Sequence, residues 1–173
     1  MNQKVKNSQH KLLFVCLGNI CRSPAAEGVM KEIVAKAGAE NQYIIDSAGI
    51  GSWHVGQLPD VRMRQHGAAR GYLFNSHARQ FTPSDFDAFD SIFVMDQNNF
   101  HDVTSKARSK EDAEKVKFLA NFLQDHPLAH EIPDPYYGES SDFDYALDLI
   151  EDACQSLFKK LQKKWIGILN LIF

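Results

Sequence analysis

The stretch Leu12-Leu13-Phe14-Val15-Cys16-Leu17-Gly18-Asn19-Ile20-Cys21-Arg22-Ser23-Pro24 decides how this chain is read. Its first four residues form a continuous apolar run, as expected of a strand buried on both faces of a parallel sheet. From Ala25 onward, Ala25, Ala26, Val29, Met30, Ile33, Val34 and Ala37 repeat on one helical face, with Pro24 in the first turn and Gly38 past the end. Strand, short loop and helix make an anion-binding nest, because loop N–H groups and a helix N-terminus converge there. In that setting the thiolate of Cys16 is favoured over the thiol. Gly18 lets the loop curl, and Asn19 is among the few non-glycine residues that tolerate positive φ. Arg22 offers a planar fork to two oxygens of a tetrahedral anion. Ser23 can donate its hydroxyl to the cysteine sulfur, and Pro24 is harmless at the first helical position. These residues point to phosphoryl transfer through a cysteine.

Outward from this segment, the apolar blocks Leu12–Cys16, Tyr43–Asp46, Ser91–Met95 and Val116–Leu119 read as buried strands. Between them lie helical patterns: one opens at Pro59-Asp60 and closes at Gly71, and Thr82-Pro83-Ser84-Asp85 and Ser109 read as further caps. Phe143, Ala146, Leu147, Ile150, Cys154, Leu157 and Leu161 form the clearest stripe, so the last long element is a helix. Strands alternating with helices predict one α/β domain with a parallel sheet. Residues 1–10 read as a polar extension, 11–164 as the domain and 165–173 as an apolar tail.

Composition narrows the function. A length of 173 residues fits one domain that needs no staples. A net charge of −3 carries no electrostatic footprint for nucleic acid. Three cysteines in mixed contexts suit a reducing compartment and a catalytic thiol rather than a disulfide framework. The N-terminal segment lacks the apolar stretch of a signal peptide, and no run approaches the roughly 20 apolar residues of a membrane span. The expectation is a cytoplasmic enzyme without metal or cofactor. The GxxxxGK[ST] phosphate loop is absent, which removes support for a nucleoside triphosphatase.

A phosphate ester also needs a proton on its leaving oxygen. Asp134-Pro135-Tyr136-Tyr137-Gly138 is the best source, since Pro135 holds Asp134 extended and stiffens the loop. Tyr136 and Tyr137 could wall a slot for an aromatic substrate; the competing reading is an ordinary Asp-Pro turn with locally packed tyrosines.

Together these segments resemble the low-molecular-weight protein tyrosine phosphatases. The loop from Cys16 to Pro24 matches that family's signature and Asp134-Pro135-Tyr136 its acid loop; Asp46-Ser47-Ala48-Gly49 and His77-Ala78-Arg79-Gln80 also look like family segments. The resemblance runs from about Leu12 to Leu161. It implies a four-stranded parallel sheet of order 2-1-3-4 with helices on both faces, and Cys16 as nucleophile, Arg22 as phosphate clamp and Asp134 as general acid. It implies substrate contacts from Leu17, Gly18, Asn19, Ile20, Cys21, Ser23, Trp53, Tyr136 and Tyr137, with Asn19, Ser47 and His77 supporting the loop through hydrogen bonds. It favours capture of an oxidised Cys16 by Cys21 as a reversible disulfide. Phosphotyrosine proteins are the implied partners.

Three rivals are weighed. Arsenate reductases of this fold look similar around the loop but need two further cysteines, the first in the eighties; residues 78–109 hold none. Protein-arginine phosphatases resemble this chain but carry threonine where Ile20 stands and lack the paired tyrosines. A non-catalytic phosphate-binding module would have no use for Cys16, Arg22 and Asp134 together.

The tail is a departure from the family. Lys159-Lys160-Leu161-Gln162-Lys163-Lys164 leads into Trp165-Ile166-Gly167-Ile168-Leu169-Asn170-Leu171-Ile172-Phe173. A helix from Ser141 to Phe173 would span about 50 Å, longer than a small domain is wide. The expectation is that it packs on its own chain or on a second copy, with Gly167 offering a break point. The alternatives are a membrane surface and disorder.

Overall fold

The computed structural model describes residues 9–169, with residues 164–169 as backbone alone. Four parallel strands, β1 (His10–Cys16), β2 (Tyr43–Gly49), β3 (Ser91–Val94) and β4 (Val116–Phe118), form one sheet in the order β2-β1-β3-β4. This is the predicted order. Helices α1 (Arg22–Lys36), α2 (Val61–Ala69), α3 (Asp85–Ala88), α4 (Gln97–Thr104), α5 (Lys110–Glu114) and α6 (Ser140–Leu169) surround it. The alternation along β1 explains the continuous apolar run. Leu12, Phe14 and Cys16 join Phe93 in a core that includes residues of α1 and α6, whereas Leu13 and Val15 join Ile92 and Val94 in a second core with Phe86 and Val103. Both faces of the strand are dry, so neither can be polar.

The local signals act where expected. Asp60 caps α2 by accepting from the Arg62 N–H at 2.8 Å, and Ser109 caps α5 by accepting from Asp112 at 3.1 Å. Gly38 and Gly71 end α1 and α2 with positive φ. The strand signals are one to three residues off at their ends: β1 starts at His10, whose ring stacks on Tyr43, and β2 extends to Gly49. After β4 the chain turns through a 3₁₀ segment, Leu119–Phe122, rather than continuing as strand.

Helix α6 carries the packing. Phe143, Leu147, Ile150, Cys154 and Leu157 are buried on its inner stripe, each large apolar side chain contributing about 1.5–3 kcal/mol. Arg70 at the end of α2 reaches Asp144, Asp148 and Glu151 on α6 and fixes one helix against the other. Asp152 accepts from the N–H groups of Gln124 and Asp125 and pairs with His126, tying the segment that leads toward Asp134. The break point that Gly167 offers is not used. The helix runs through it to Leu169, since one glycine in a helix costs only about 1 kcal/mol. The expectations on residues 1–8 and 170–173 lie outside the described residues, as do those on the side chains of 164–169.

Candidate active site

Strand β1 pairs with β2 on one side and β3 on the other, so its C-terminal end is the topological switch point of the sheet, where α/β folds bind ligands. Cys16 is the last residue of β1, and α1 begins at Arg22. The loop carbonyls are tied from outside: Ile50 donates to Cys16 O at 3.0 Å, Gly51 to Leu17 O at 2.9 Å and Asp60 to Ile20 O at 2.8 Å. The N–H groups of Gly18, Asn19, Ile20 and Cys21 donate to no acceptor among the described residues. Such a ring of free donors at a helix N-terminus is an anion nest.

Asn19 is the one non-glycine residue with positive φ among the described residues, at 58°. Its side chain holds that conformation: Nδ2 donates to Ser23 Oγ and Ser47 Oγ, both at 2.9 Å, while Oδ1 accepts from the Arg79 N–H at 3.0 Å. Ser47 in turn donates to the buried Glu27 carboxylate at 2.5 Å. Gly49 completes the support from β2, because a Cβ there would lie 2.9 Å from the Asn19 nitrogen.

Two expectations need correction. His77 is exposed and supplies none of the hydrogen bonds on the loop; the Arg79 N–H, two residues on, takes that place. Asn19 and Ser23 bring no side chain to the slot, Asn19 facing the nest through its backbone N–H alone. Both side chains are buried behind it, where Ser23 Oγ sits 3.0 Å from Cys16 Sγ.

Arg22 is 1% exposed and spans the site. Nη1 donates to Asp96 Oδ2 at 2.5 Å and to Ile132 O at 3.0 Å, and Nη2 donates to Asp134 Oδ2 at 3.0 Å. Burial works against the charged guanidinium, but Cys16, Asp134 and Asp96 outweigh it and raise Arg22 above its usual range. Its Nε is buried without a hydrogen-bond partner among the described residues, a donor that an anionic oxygen would satisfy. Burial first, then Asp60 and Cys16, push the Cys21 thiol far above its ordinary value, so Cys21 stays protonated.

The slot above the nest is lined by Cys16, Leu17, Gly18, Ile20, Cys21, Trp53, Asp134, Tyr136 and Tyr137, with His54 in addition. Trp53 lies across Gly51, where any Cβ would fall within 0.9 Å of the ring. His54 stacks on Trp53 and faces Tyr136 at 6.4 Å, while Tyr136 and Tyr137 meet edge to face at 4.9 Å. The acid loop is pinned by Arg62, whose Nη2 donates to Tyr136 O at 3.0 Å while its guanidinium lies over the Tyr136 and Phe143 rings. Asp60 aligns Arg62 through two hydrogen bonds, at 3.0 and 2.8 Å. Arg62→Ala should therefore lower kcat about tenfold by loosening Asp134, with KM for a small aryl phosphate little changed. Steady-state kinetics check this; a change in KM alone would assign Arg62 to substrate contact instead.

Asp96, Glu27, Arg62 and His54 escaped the sequence reading. Asp96 had a helix-cap position as its only local mark, and the others none.

A nest at the switch point, with a thiol at its base and a carboxyl at its rim, defines a phosphate-handling α/β enzyme. Comparison with known proteins specifies which. The family model described as low molecular weight phosphotyrosine protein phosphatase matches residues 11–166. The low molecular weight protein-tyrosine-phosphatase YfkJ of Bacillus subtilis is 40% identical over 88% of this chain and 96% of its own. The Sus scrofa low molecular weight phosphotyrosine protein phosphatase is 36% identical over 87% and 95%. Among solved structures, a protein tyrosine phosphatase from Entamoeba histolytica superposes with a TM-score of 0.87 at 44% identity, over 90% of this chain and 99% of that one. A Drosophila arginine phosphatase superposes at 0.77 and 32%, over 87% and 97%. The chain belongs to the low molecular weight phosphotyrosine protein phosphatase family, and its activity is that of a protein-tyrosine phosphatase.

Proposed function

We propose that Cys16, Arg22 and Asp134 carry the hydrolysis of phosphotyrosine in protein substrates through a cysteinyl-phosphate. The single observation that supports this most is the Arg22 guanidinium, joined to Asp134 and strongly influenced by Cys16, with its buried Nε unpartnered. The phosphoryl group enters the nest and its oxygens accept from the loop N–H groups and from Arg22. The Cys16 thiolate attacks phosphorus; the S–P bond forms as the P–O bond to the ring breaks, and Asp134 passes its proton to the departing phenolic oxygen. The Asp134 carboxylate then takes a proton from water, whose oxygen attacks phosphorus. The S–P bond breaks, phosphate leaves, and the Ser23 hydroxyl stabilises the returning thiolate from 3.0 Å. Cys21, a protonated thiol on the same slot, is the group with which an oxidised Cys16 would close a disulfide.

The three free cysteines fit a reducing cytoplasm, where phosphotyrosine proteins are met. Ile20 and the paired tyrosines select a ring rather than a guanidinium, since Ile20 offers an apolar wall and no hydroxyl. The test is a peptide carrying phosphotyrosine against the same peptide carrying phosphoarginine, assayed with a chelator present. Phosphotyrosine should be favoured by about 10²-fold or more in kcat/KM. Faster release from phosphoarginine would overturn the substrate assignment.

A further inference from the structure

A second concave surface begins beside the slot. Positions 61, 64, 65 and 68 share the face of α2 turned away from the buried Met63 and Gly67, and they form one bank of a groove. Leu58 extends that bank upstream, and the returning segment 72–75 makes the other. Leu58, Val61 and Leu73 are 44%, 54% and 75% exposed, so three large apolar side chains stand together in solvent. Grouped exposure of this kind marks a binding surface, whereas scattered single residues do not.

The floor of the groove is fixed. Phe74 is buried with its ring against Gly28 of α1 and Gly67 of α2, where an added Cβ would fall 2.4 and 2.3 Å from it. Tyr72 stacks on Phe74 at 5.8 Å and donates its hydroxyl to Glu151 of α6 at 2.6 Å. Three helices thus hold these two rings, and the groove is formed before anything enters it.

Its charged group is Arg64. Each other arginine of the chain pairs with a carboxylate. Arg64 instead anchors its Nε on the Pro59 carbonyl at 3.0 Å, and its Nη groups meet no acceptor among the described residues. A half-buried guanidinium beside an apolar floor suits an acidic side chain brought from outside.

The groove is continuous with the slot. The Asp60 N–H donates to Ile20 O at 2.8 Å, and Ile20 walls the slot. Leu58 and Val61 lie two residues and one residue from Asp60; at 3.8 Å per residue both Cα atoms fall within about 12 Å of Ile20 O. An extended peptide rises about 3.3 Å per residue, so that distance is spanned by three or four residues.

We propose that this groove binds the chain flanking the phosphotyrosine of a protein substrate, taking an apolar side chain about three or four residues away with an acidic one beside it on Arg64. The assignment rests on the phosphotyrosine reading given above and adds to it the kind of sequence that is selected. A solvent-facing groove that opens from the rim of the slot is where a bound phosphotyrosine places its own neighbours, which favours the substrate over a second copy of this chain.

The experiment compares phosphotyrosine peptides in a serine–alanine background, carrying Leu-Glu at three and four residues before or after phosphotyrosine, with the plain background. One of the two Leu-Glu peptides should exceed the background by about ten- to a hundredfold in kcat/KM, chiefly through KM. The double variant Leu58→Ser, Leu73→Ser should erase that advantage, and Arg64→Glu should transfer it to the peptide with Leu-Lys in the same place. Para-nitrophenyl phosphate, too small to reach the groove, should be hydrolysed by both variants as by wild type. Equal kcat/KM for all peptides, with phosphate still released, would overturn the docking assignment and leave the reaction standing. Failure to hydrolyse any phosphotyrosine peptide would remove both. A dimer in light scattering that the double variant dissolves would give the groove to a second copy instead.

Discussion

Cys16→Ser should abolish turnover of para-nitrophenyl phosphate, with kcat down by at least about 10⁴-fold. The hydroxyl keeps the shape of the site but loses the nucleophile, because a serine needs an adjacent base and none is bonded to Cys16 among the described residues. Its closest polar partner is Ser23 Oγ at 3.0 Å, which cannot take a proton from an alcohol in the way an imidazole can. The nest itself is built by other residues: Asn19, Ser47, Gly49 and Arg79 hold the loop without using the Cys16 sulfur. Phosphate should accordingly still bind. Binding should tighten, since a neutral hydroxyl removes the negative charge that faces the incoming dianion. Isothermal titration with inorganic phosphate and rapid-quench mass spectrometry check both halves. Wild type should show a transient phosphoryl adduct on Cys16, and the variant none. Residual activity above about a tenth would remove Cys16 from its role.

The nest was legible in the sequence because it is local. One segment from Leu12 to Pro24 contains the strand, the loop and the helix start, and the positive φ of Asn19 follows from its residue type. The sheet order was legible only through family resemblance, since short apolar runs do not say which strand lies beside which. What failed to show was whatever depends on two distant segments meeting. Asp96 is 74 residues from Arg22, and Arg62 is 74 from Tyr136; nothing near either residue marks the contact. His77 illustrates the opposite error. A histidine is a plausible donor in any list of residues, yet the chain turns so that a backbone N–H, which every residue but proline carries, does the bonding at Arg79. At Gly167 local propensity was overridden by a helix already nucleated by more than twenty preceding residues.

Asp134→Ala should lower kcat by about 10²- to 10⁴-fold, and by an amount that depends on the leaving group. In the unliganded site Asp134 is bonded to Arg22 Nη2 at 3.0 Å, so the carboxylate occupies a guanidinium that an entering phosphate also needs. A phosphate dianion carries more charge and can engage Nε as well, which has no partner, so it should displace Asp134 from Arg22. Asp134 is then freed beside a dianion and near the phenolic oxygen. Binding of the substrate thus prepares its own acid. Arg22 does not move in this exchange, because Asp96 and the Ile132 carbonyl hold Nη1 from the other side. The tyrosyl oxygen, with a phenol pKa near 10, leaves poorly without a proton, whereas the more acidic para-nitrophenol leaves more readily. Loss on a phosphotyrosine peptide should therefore exceed loss on para-nitrophenyl phosphate by tenfold or more. Equal losses on both substrates would mean that Asp134 only positions Arg22; phosphate affinity would then fall in the variant, whereas removal of a competing carboxylate should raise it.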